Sequence, residues 1–493
     1  MVSTVLLNLT RTLLNYSYTD ETGVSCKQQT PILPLATIMG FIPRLLCLLG
    51  GLLPAIVSGF TPPTPFFPEL DDFYKPRKGF WQELETGSII DWRQVYVNSL
   101  SYGIPSNATA YQVLYVTRDL NEKKVQSVTT IIVPHNAKKG WLLSVQPAYD
   151  SPDINCSPSY GLQVGAVGPA LSWNMMDLSF VLPFVNKNGP ILNIPDYEGL
   201  NAAFTVGPQS AYHTLDSIRA AFNFQKEFGL IGLKPDARTV MYGFSGGAYA
   251  TEWASELQPT YAPDLTQIVG AAMGGPPPNI TDTYLGCNEG PWAELNVWAM
   301  LGVMNALPEM KKYMDKDLLD EHRDRFYGPK TRCSRCFGRE PVHEPLEYQN
   351  ISSFFKNGHS FLYKFRRNLT DIGVMGRHGA PPFPMYIFQG TNDEIVGDID
   401  VTNKLVCGLC DKGTVVQYHQ HPELNHMETL QQGNLDAWRW ILNRFLGVKP
   451  TGCREKDLKP PIGAACDDLK KAEDDLMTDD GSDASIPLRA ELK

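Results

Sequence analysis

The chain has 493 residues, 43% of them hydrophobic and 19% charged, and a formal net charge of −10. That composition is ordinary for a globular protein, and α/β domains with insertions reach most of this length as one unit. The acidic balance and the lack of any long basic run exclude nucleic acid as a partner, because phosphate binding needs clustered cations. Met39 opens a segment with one cation, Arg44, an apolar run over 45–57 holding Cys47, Gly50, Gly51 and Pro54, and then the small residues Ser58 and Gly59. This reads as a secretory signal peptide, too short for a membrane span of about 20 residues. Residues 1–38 carry no such pattern. Translation from Met39 is therefore favoured over translation from Met1 with a signal-anchor around Arg44.

A proline-rich lead-in (61–68) and an aromatic, charged arm (71–91) follow. Strands are predicted over 111–117, 127–133 and 141–145, the last leading into Gln146-Pro147-Ala148-Tyr149-Asp150-Ser151. A helical pattern covers 169–186. A short buried strand at 191–194 ends in Pro195-Asp196-Tyr197-Glu198-Gly199. The segment 210–228 is an amphipathic helix, with Leu215, Ile218, Ala221, Phe222 and Phe228 near helical spacing. After the Thr239-Val240 strand come a glycine-flanked turn and a helix with Ala248, Ala250, Trp253, Ala254 and Leu257 on one face. Another strand spans 266–272.

Strands alternating with helices indicate a mostly parallel sheet covered on both faces. The alternation stops over 276–382, where an apolar helix (292–307) and a charged one (310–325) are predicted, then resumes with strands at 385–389 and 415–419 and a closing helix at 435–445. The expected organisation is an N-terminal extension with the signal-like segment (1–59), a first core part (60–275), an inserted helical cap over the sheet's active edge (276–382), a second core part (383–453) and an acidic tail (454–493). That tail is aromatic-free over 467–493 and is expected to be disordered.

The chemistry is concentrated in Gly243-Phe244-Ser245-Gly246-Gly247. Strand, sharp turn and helix are the setting of a G-x-S-x-G nucleophile elbow. Glycines two before and two after the serine let strand and helix approach without Cβ clashes, and the N–H of Gly246 faces the same space as the serine hydroxyl. A hydroxyl is nearly inert at neutral pH unless a base and a group orienting that base lie within reach. Such groups sit on loops at the carboxyl ends of strands. Asp393 follows the 385–389 strand, with Glu394 and Asp398 as rivals. His426 lies between the 415–419 strand and the next helix, whereas His419 belongs to the strand and His421 abuts Pro422. Ser245, Asp393 and His426 stand in the chain order used by α/β-hydrolases. In the mechanism this implies, His426 takes the Ser245 proton, Ser245 attacks an ester carbonyl, and Asp393 fixes the imidazole tautomer. Gly246 N–H and the loop around Asp150 would hold the oxyanion. No metal or organic cofactor is needed.

Ten cysteines include two C-x-x-C pairs, Cys333/Cys336 and Cys407/Cys410. Their separation far exceeds the roughly 15–20 residues of a zinc ribbon, so disulfides are the better reading in a secreted chain. Sequons at Asn107, Asn279, Asn350 and Asn368 are compatible with glycosylation.

Several segments together resemble the fungal secretory lipases, the α/β-hydrolase family that includes Candida antarctica lipase A. They are Tyr149-Asp150-Ser151 with Cys156-Ser157-Pro158-Ser159-Tyr160, Pro195 to Gly199 continuing to Leu215–Ala220, the elbow and its helix, Asn288-Glu289-Gly290-Pro291-Trp292, and the 390–396 acid loop. The resemblance covers about Trp141 to Cys453. It implies a helical cap carrying the acyl-binding passage, an oxyanion-hole role for the Asp150 position, a Cys156 bond to Cys333 or Cys336, and a Cys410–Cys453 bond. The chain departs from the family pattern in Phe244 for a common tyrosine, in Gly397-Asp398 after Val396 where a proline often follows, and in Asn425 for an acid.

The leading function is a secreted carboxylic-ester hydrolase, a lipase on acylglycerols with transient contact between cap and lipid interface. The alternatives are an esterase deacylating a specialised fungal metabolite and a non-catalytic hydrolase-like binding protein. A peptidase is disfavoured, since nothing N-terminal suggests a gating domain. Trp292, Trp298, Met300 and Met304 fit either an acyl channel or, more simply, packing inside the cap. Acyl-chain length, interfacial activation and oligomeric state are left open.

Overall fold

The computed structural model describes residues 64–97, 108–166, 188–331, 346–454 and 458–459. The signal-like segment, the predicted helix at 169–186, Asn107, Cys333 and Cys336 lie outside the described residues. Ten strands form one sheet in the order β1-β2-β3-β5-β4-β6-β7-β8-β9-β10. They are β1 (Ile89–Val95), β2 (Thr109–Arg118), β3 (Lys124–Val133), β4 (Lys138–Gln146), β5 (Pro190–Pro195), β6 (Arg238–Phe244), β7 (Ile268–Gly274), β8 (Met385–Gly390), β9 (Val416–His421) and β10 (Leu458–Lys459). The first three and the β3–β5 pair run antiparallel, and every pair from β5 through β4 to β10 runs parallel.

The central strands are buried on both faces, which is why they read as short apolar runs rather than alternating ones. Leu142 and Met241 pack on one side with Leu215, Ile218 and Phe224 of α1 (Gly207–Phe228) and with Trp253 of α2 (Gly246–Tyr261). Their sequence neighbours Leu143 and Tyr242 pack on the other side, a period-two alternation.

Between β7 and β8 the chain leaves the sheet and forms α3 (Ile280–Cys287), α4 (Ala293–Ala306), α5 (Pro308–Asp317) and α6 (Arg366–Gly373) among shorter turns. The apolar side chains of this segment, Trp298, Met300 and Met304 among them, are buried in a cluster that also takes in Ala203, Phe204 and Val206. That burial agrees with the packing reading for Trp298, Met300 and Met304, while Trp292, the fourth residue of the stripe, is half-buried. The charged helix predicted over 310–325 is broken after Asp317, where Leu318 takes an extended conformation and bridges Phe355. The elements that went unpredicted include β1, α3, α6, α7 (Ile399–Asp411) and β10. Cys410 is bonded to Cys453, with a Cα–Cα distance of 5.6 Å, and Cys156 and Cys407 are disulfide-bonded as well. No helix among the described residues is long and apolar enough to cross a membrane.

Candidate active site

β4, β6, β7, β8 and β9 run parallel, so the turns after Gln146, Phe244, Gly274, Gly390 and His421 open at one edge of the sheet. A single residue, Ser245, joins β6 to α2, with φ 55° and ψ −122°, a region non-glycine residues rarely enter. Its N–H donates to the Gly274 carbonyl at 2.9 Å, and its carbonyl accepts from Tyr249 N–H at 2.9 Å. The flanking glycines have the predicted steric reason. A Cβ at Gly243 would overlap the Gly247 carbonyl, and one at Gly247 would overlap the Gln146 carbonyl. Because those are backbone atoms that cannot retreat, Gly247→Ala should destabilise the fold by about 3 kcal/mol or more. A fall in the denaturation midpoint measures this.

Asp393 occupies the turn after β8 and is buried. Its Oδ1 accepts from Ile395 N–H (3.0 Å) and Val396 N–H (2.9 Å), and its Oδ2 accepts from Gln389 Nε2 (2.8 Å). The same Oδ2 lies 2.7 Å from His426 Nδ1. An ionised carboxylate only accepts, so Nδ1 carries the proton and the Nε2 lone pair is left free in the neutral ring. Nε2 is buried and has no hydrogen-bond partner. The imidazole rests against Phe244, the residue before Ser245, at a ring-centroid distance of 4.8 Å. A Cβ at Gly275 would approach its Cε1 at 2.9 Å. Burial alone would lower the His426 pKa. The carboxylates of Asp393, Glu394 and Asp150 outweigh it and hold the imidazole above its ordinary value.

His426 is not in a loop before a helix at 435, as predicted, but is the first residue of α8 (His426–Phe445). Asn425 caps that helix: its side chain accepts from Glu428 N–H (2.9 Å), and the Glu428 carboxylate accepts from Asn425 N–H (3.1 Å). The pattern Asn-x-x-Glu is a capping-box signal that was legible in the sequence. The apolar periodicity misled because it strengthens only later in the helix. Of the rivals to Asp393, Asp398 caps α7 by accepting from Asp400 N–H at 2.9 Å. Glu394 accepts from the His426 backbone instead of its ring (3.0 Å).

Asp150 follows β4 in a strained conformation, φ 40°. Its carboxyl covers Gly246, where a Cβ would overlap Oδ1. Asp150, Ser245 and Gly246 share one wall of a cavity of about 60 Å³ that Ile280, Leu295 and Val396 also line. Burial pushes the Asp150 carboxyl up to about 7, against the opposing pull of His426 and of a backbone N–H. Beneath it Glu198, wholly buried, accepts from Ser151 N–H at 3.3 Å. Burial, and secondarily Asp150, hold Glu198 well above the ordinary glutamate range. Sequence reasoning gave Glu198 no role, since the burial of a carboxyl has no signature in spacing. Among the described residues no group of histidine, cysteine and acidic side chains is arranged to hold a metal.

A model of the secretory lipase family matches residues 162–453. Lipase A of Arthroderma benhamiae is 33% identical over 398 residues, covering 79% of this chain and 82% of that one. The chain belongs to the secretory lipase family. As a member it is a carboxylic-ester hydrolase. A trichothecene C-3 esterase of Fusarium sporotrichioides is also 33% identical to this secretory lipase, over 411 residues, with coverage of 80% and 87%. The closed-state crystal structure of Candida antarctica lipase A aligns with a TM-score of 0.71 at 24% identity, covering 83% of this chain and 96% of that one. That likeness establishes the α/β-hydrolase fold, within which the chain carries its Ser245 turn, its Asp393–His426 pair and the Asp150 loop at one sheet edge.

Proposed function

We propose that this secretory lipase hydrolyses acylglycerol esters through an acyl-enzyme on Ser245. The observation that carries the reading is the 2.7 Å bond from His426 Nδ1 to Asp393, which leaves a buried, unpartnered Nε2 beside the Ser245 turn. His426 Nε2 accepts the Ser245 proton as Oγ attacks the ester carbonyl, and Asp393 stabilises the imidazolium that forms. The same proton passes to the leaving alcohol. Water then repeats the cycle on the acyl-enzyme. Gly246 N–H and the Asp150 carboxyl receive the oxyanion, the latter only while protonated, because a carboxylate has nothing to donate. The 276–382 segment serves as the cap over the acyl-binding cavity and as the face that meets lipid. Secretion is supported by the signal-like segment at 39–59 and by relatives named as secreted lipases. Glycosylation at Asn279, Asn350 and Asn368 is part of the same proposal.

A second reading, an esterase that removes a short acyl group from a specialised metabolite, is favoured by the cavity. About 60 Å³ is far below the roughly 300–1,000 Å³ of drug-sized ligand pockets, and one relative is named as a trichothecene C-3 esterase. Hydrolysis rates across esters from acetyl to long-chain, with Ser245→Ala as control, decide between them. Rates that rise with chain length support the lipase, through a cap that moves to admit the chain. A strict acetyl preference selects the metabolite esterase.

A further inference from the structure

Glu394 follows Asp393 in the turn after β8 and is half-buried. Its two carboxylate oxygens serve different parts of the molecule. Oε1 accepts from the indole N–H of Trp292 at 3.0 Å, and Oε2 accepts from the backbone N–H of His426 at 3.0 Å. Trp292 immediately precedes α4 in the inserted segment, and His426 opens α8. One side chain therefore spans the insertion and the helix that carries the imidazole. A second contact runs alongside, where the Cys287 thiol at the end of α3 donates to the Ile395 carbonyl at 3.5 Å. Ile395 N–H in turn holds Asp393 Oδ1.

We propose that Glu394 is a positioning residue that couples the seating of the inserted segment to the placement of the His426 imidazole. The proposal rests on the reading of His426 as the general base. With Trp292 in place, the carboxylate is pinned between two donors and fixes the first N–H of α8, one of the helix-end groups that needs a partner from outside the helix. If the insertion lifts, Glu394 keeps a single donor, its side chain regains rotational freedom, and the start of α8 loses a rigid reference. Base placement within about 0.5 Å is what proton transfer demands. Esters are then turned over at full rate only when the cap is seated around the reacting carbonyl. Glu394 also faces the imidazole electrostatically, together with Asp393 and Asp150.

The test compares Glu394→Gln, Trp292→Phe and the double variant in the full chain, using a soluble ester. Trp292→Phe removes the indole N–H and keeps most of the ring volume. Each single variant should lower kcat by about tenfold, the scale of one hydrogen bond to a charged group, with KM within about twofold. The double variant should be no slower than the worse single one, because the two residues form one unit. The acid limb of kcat/KM should move to lower pH in Glu394→Gln, which loses a charge facing His426, and stay in place in Trp292→Phe. If Glu394→Gln fails to fold, Trp292→Phe decides alone, by a fall in kcat at constant KM. Wild-type kcat in a folded single variant, losses that multiply in the double, or an unmoved acid limb in Glu394→Gln overturns the coupling. His426→Ala, run in parallel, separates the two failures. An inactive His426→Ala beside unaffected Glu394 variants overturns the coupling alone, whereas an active one removes the general base on which it rests.

Discussion

On the proposed mechanism Ser245→Ala should lower kcat by on the order of 10⁵–10⁶-fold, and adding His426→Ala to it should cost almost nothing more. Both effects follow from a nucleophile and a base that act as one unit. Without the base the hydroxyl keeps its proton, and without the hydroxyl the base has no proton to take. Asp393→Asn falls between wild type and these variants. The carboxylate Oδ2 is 2.7 Å from Nδ1 and holds the proton there. An amide nitrogen at that position favours the wrong tautomer, which costs on the order of 10⁴-fold in kcat. Steady-state kinetics on one ester, with circular dichroism to confirm folding, measures wild type, Ser245→Ala, His426→Ala, their double and Asp393→Asn. Losses that multiply across the Ser245–His426 pair would show that the two do not act together.

Asp150 gives the second large effect, with a sign that depends on pH. Its carboxyl is pushed up to about 7 by burial, so it is a donor below that pH and an acceptor above it. His426 must be neutral to act as a base, so its raised pKa sets the acid limb. The pH profile of kcat/KM should therefore be bell-shaped, falling on the alkaline side as Asp150 ionises; the two groups titrate as a coupled pair. Asp150→Asn supplies an N–H donor that does not titrate. The alkaline limb should disappear, and the acid limb should move to lower pH because a carboxylate beside His426 is gone. Asp150→Ala keeps neither donor nor charge and should lose about 3 kcal/mol of transition-state stabilisation, roughly a hundredfold. An unchanged alkaline limb in Asp150→Asn would remove the side chain from the oxyanion site and leave Gly246 N–H there.

The parallel core was legible because its strands are short β-branched runs between glycine and proline turns, and β6 with its elbow is the clearest instance. The order of Ser245, Asp393 and His426 was legible for a related reason, since each follows a recognisable strand. What stayed hidden depends on contacts between distant segments. Glu394 looks like one more acid in a polar turn until Trp292, 102 positions away, and His426 are seen on its two oxygens. Glu198 is ordinary in sequence and unusual only in being wholly buried beside Asp150. The start of α8 is spelled by the Asn425 and Glu428 cap, whereas its hydrophobic periodicity strengthens only later in the helix. The antiparallel edge strand β1 was missed because its burial is partial along most of its length.

A serine-reactive fluorophosphonate distinguishes a catalytic hydroxyl from an inert one without presupposing any substrate. Mass mapping of the labelled chain should place a single adduct on Ser245, forming at wild-type speed with Asp393 and His426 intact and becoming far slower in His426→Ala. An adduct on another residue, or equal labelling speed with and without the imidazole, would mean that the sheet edge carrying Ser245 is not where ester hydrolysis takes place.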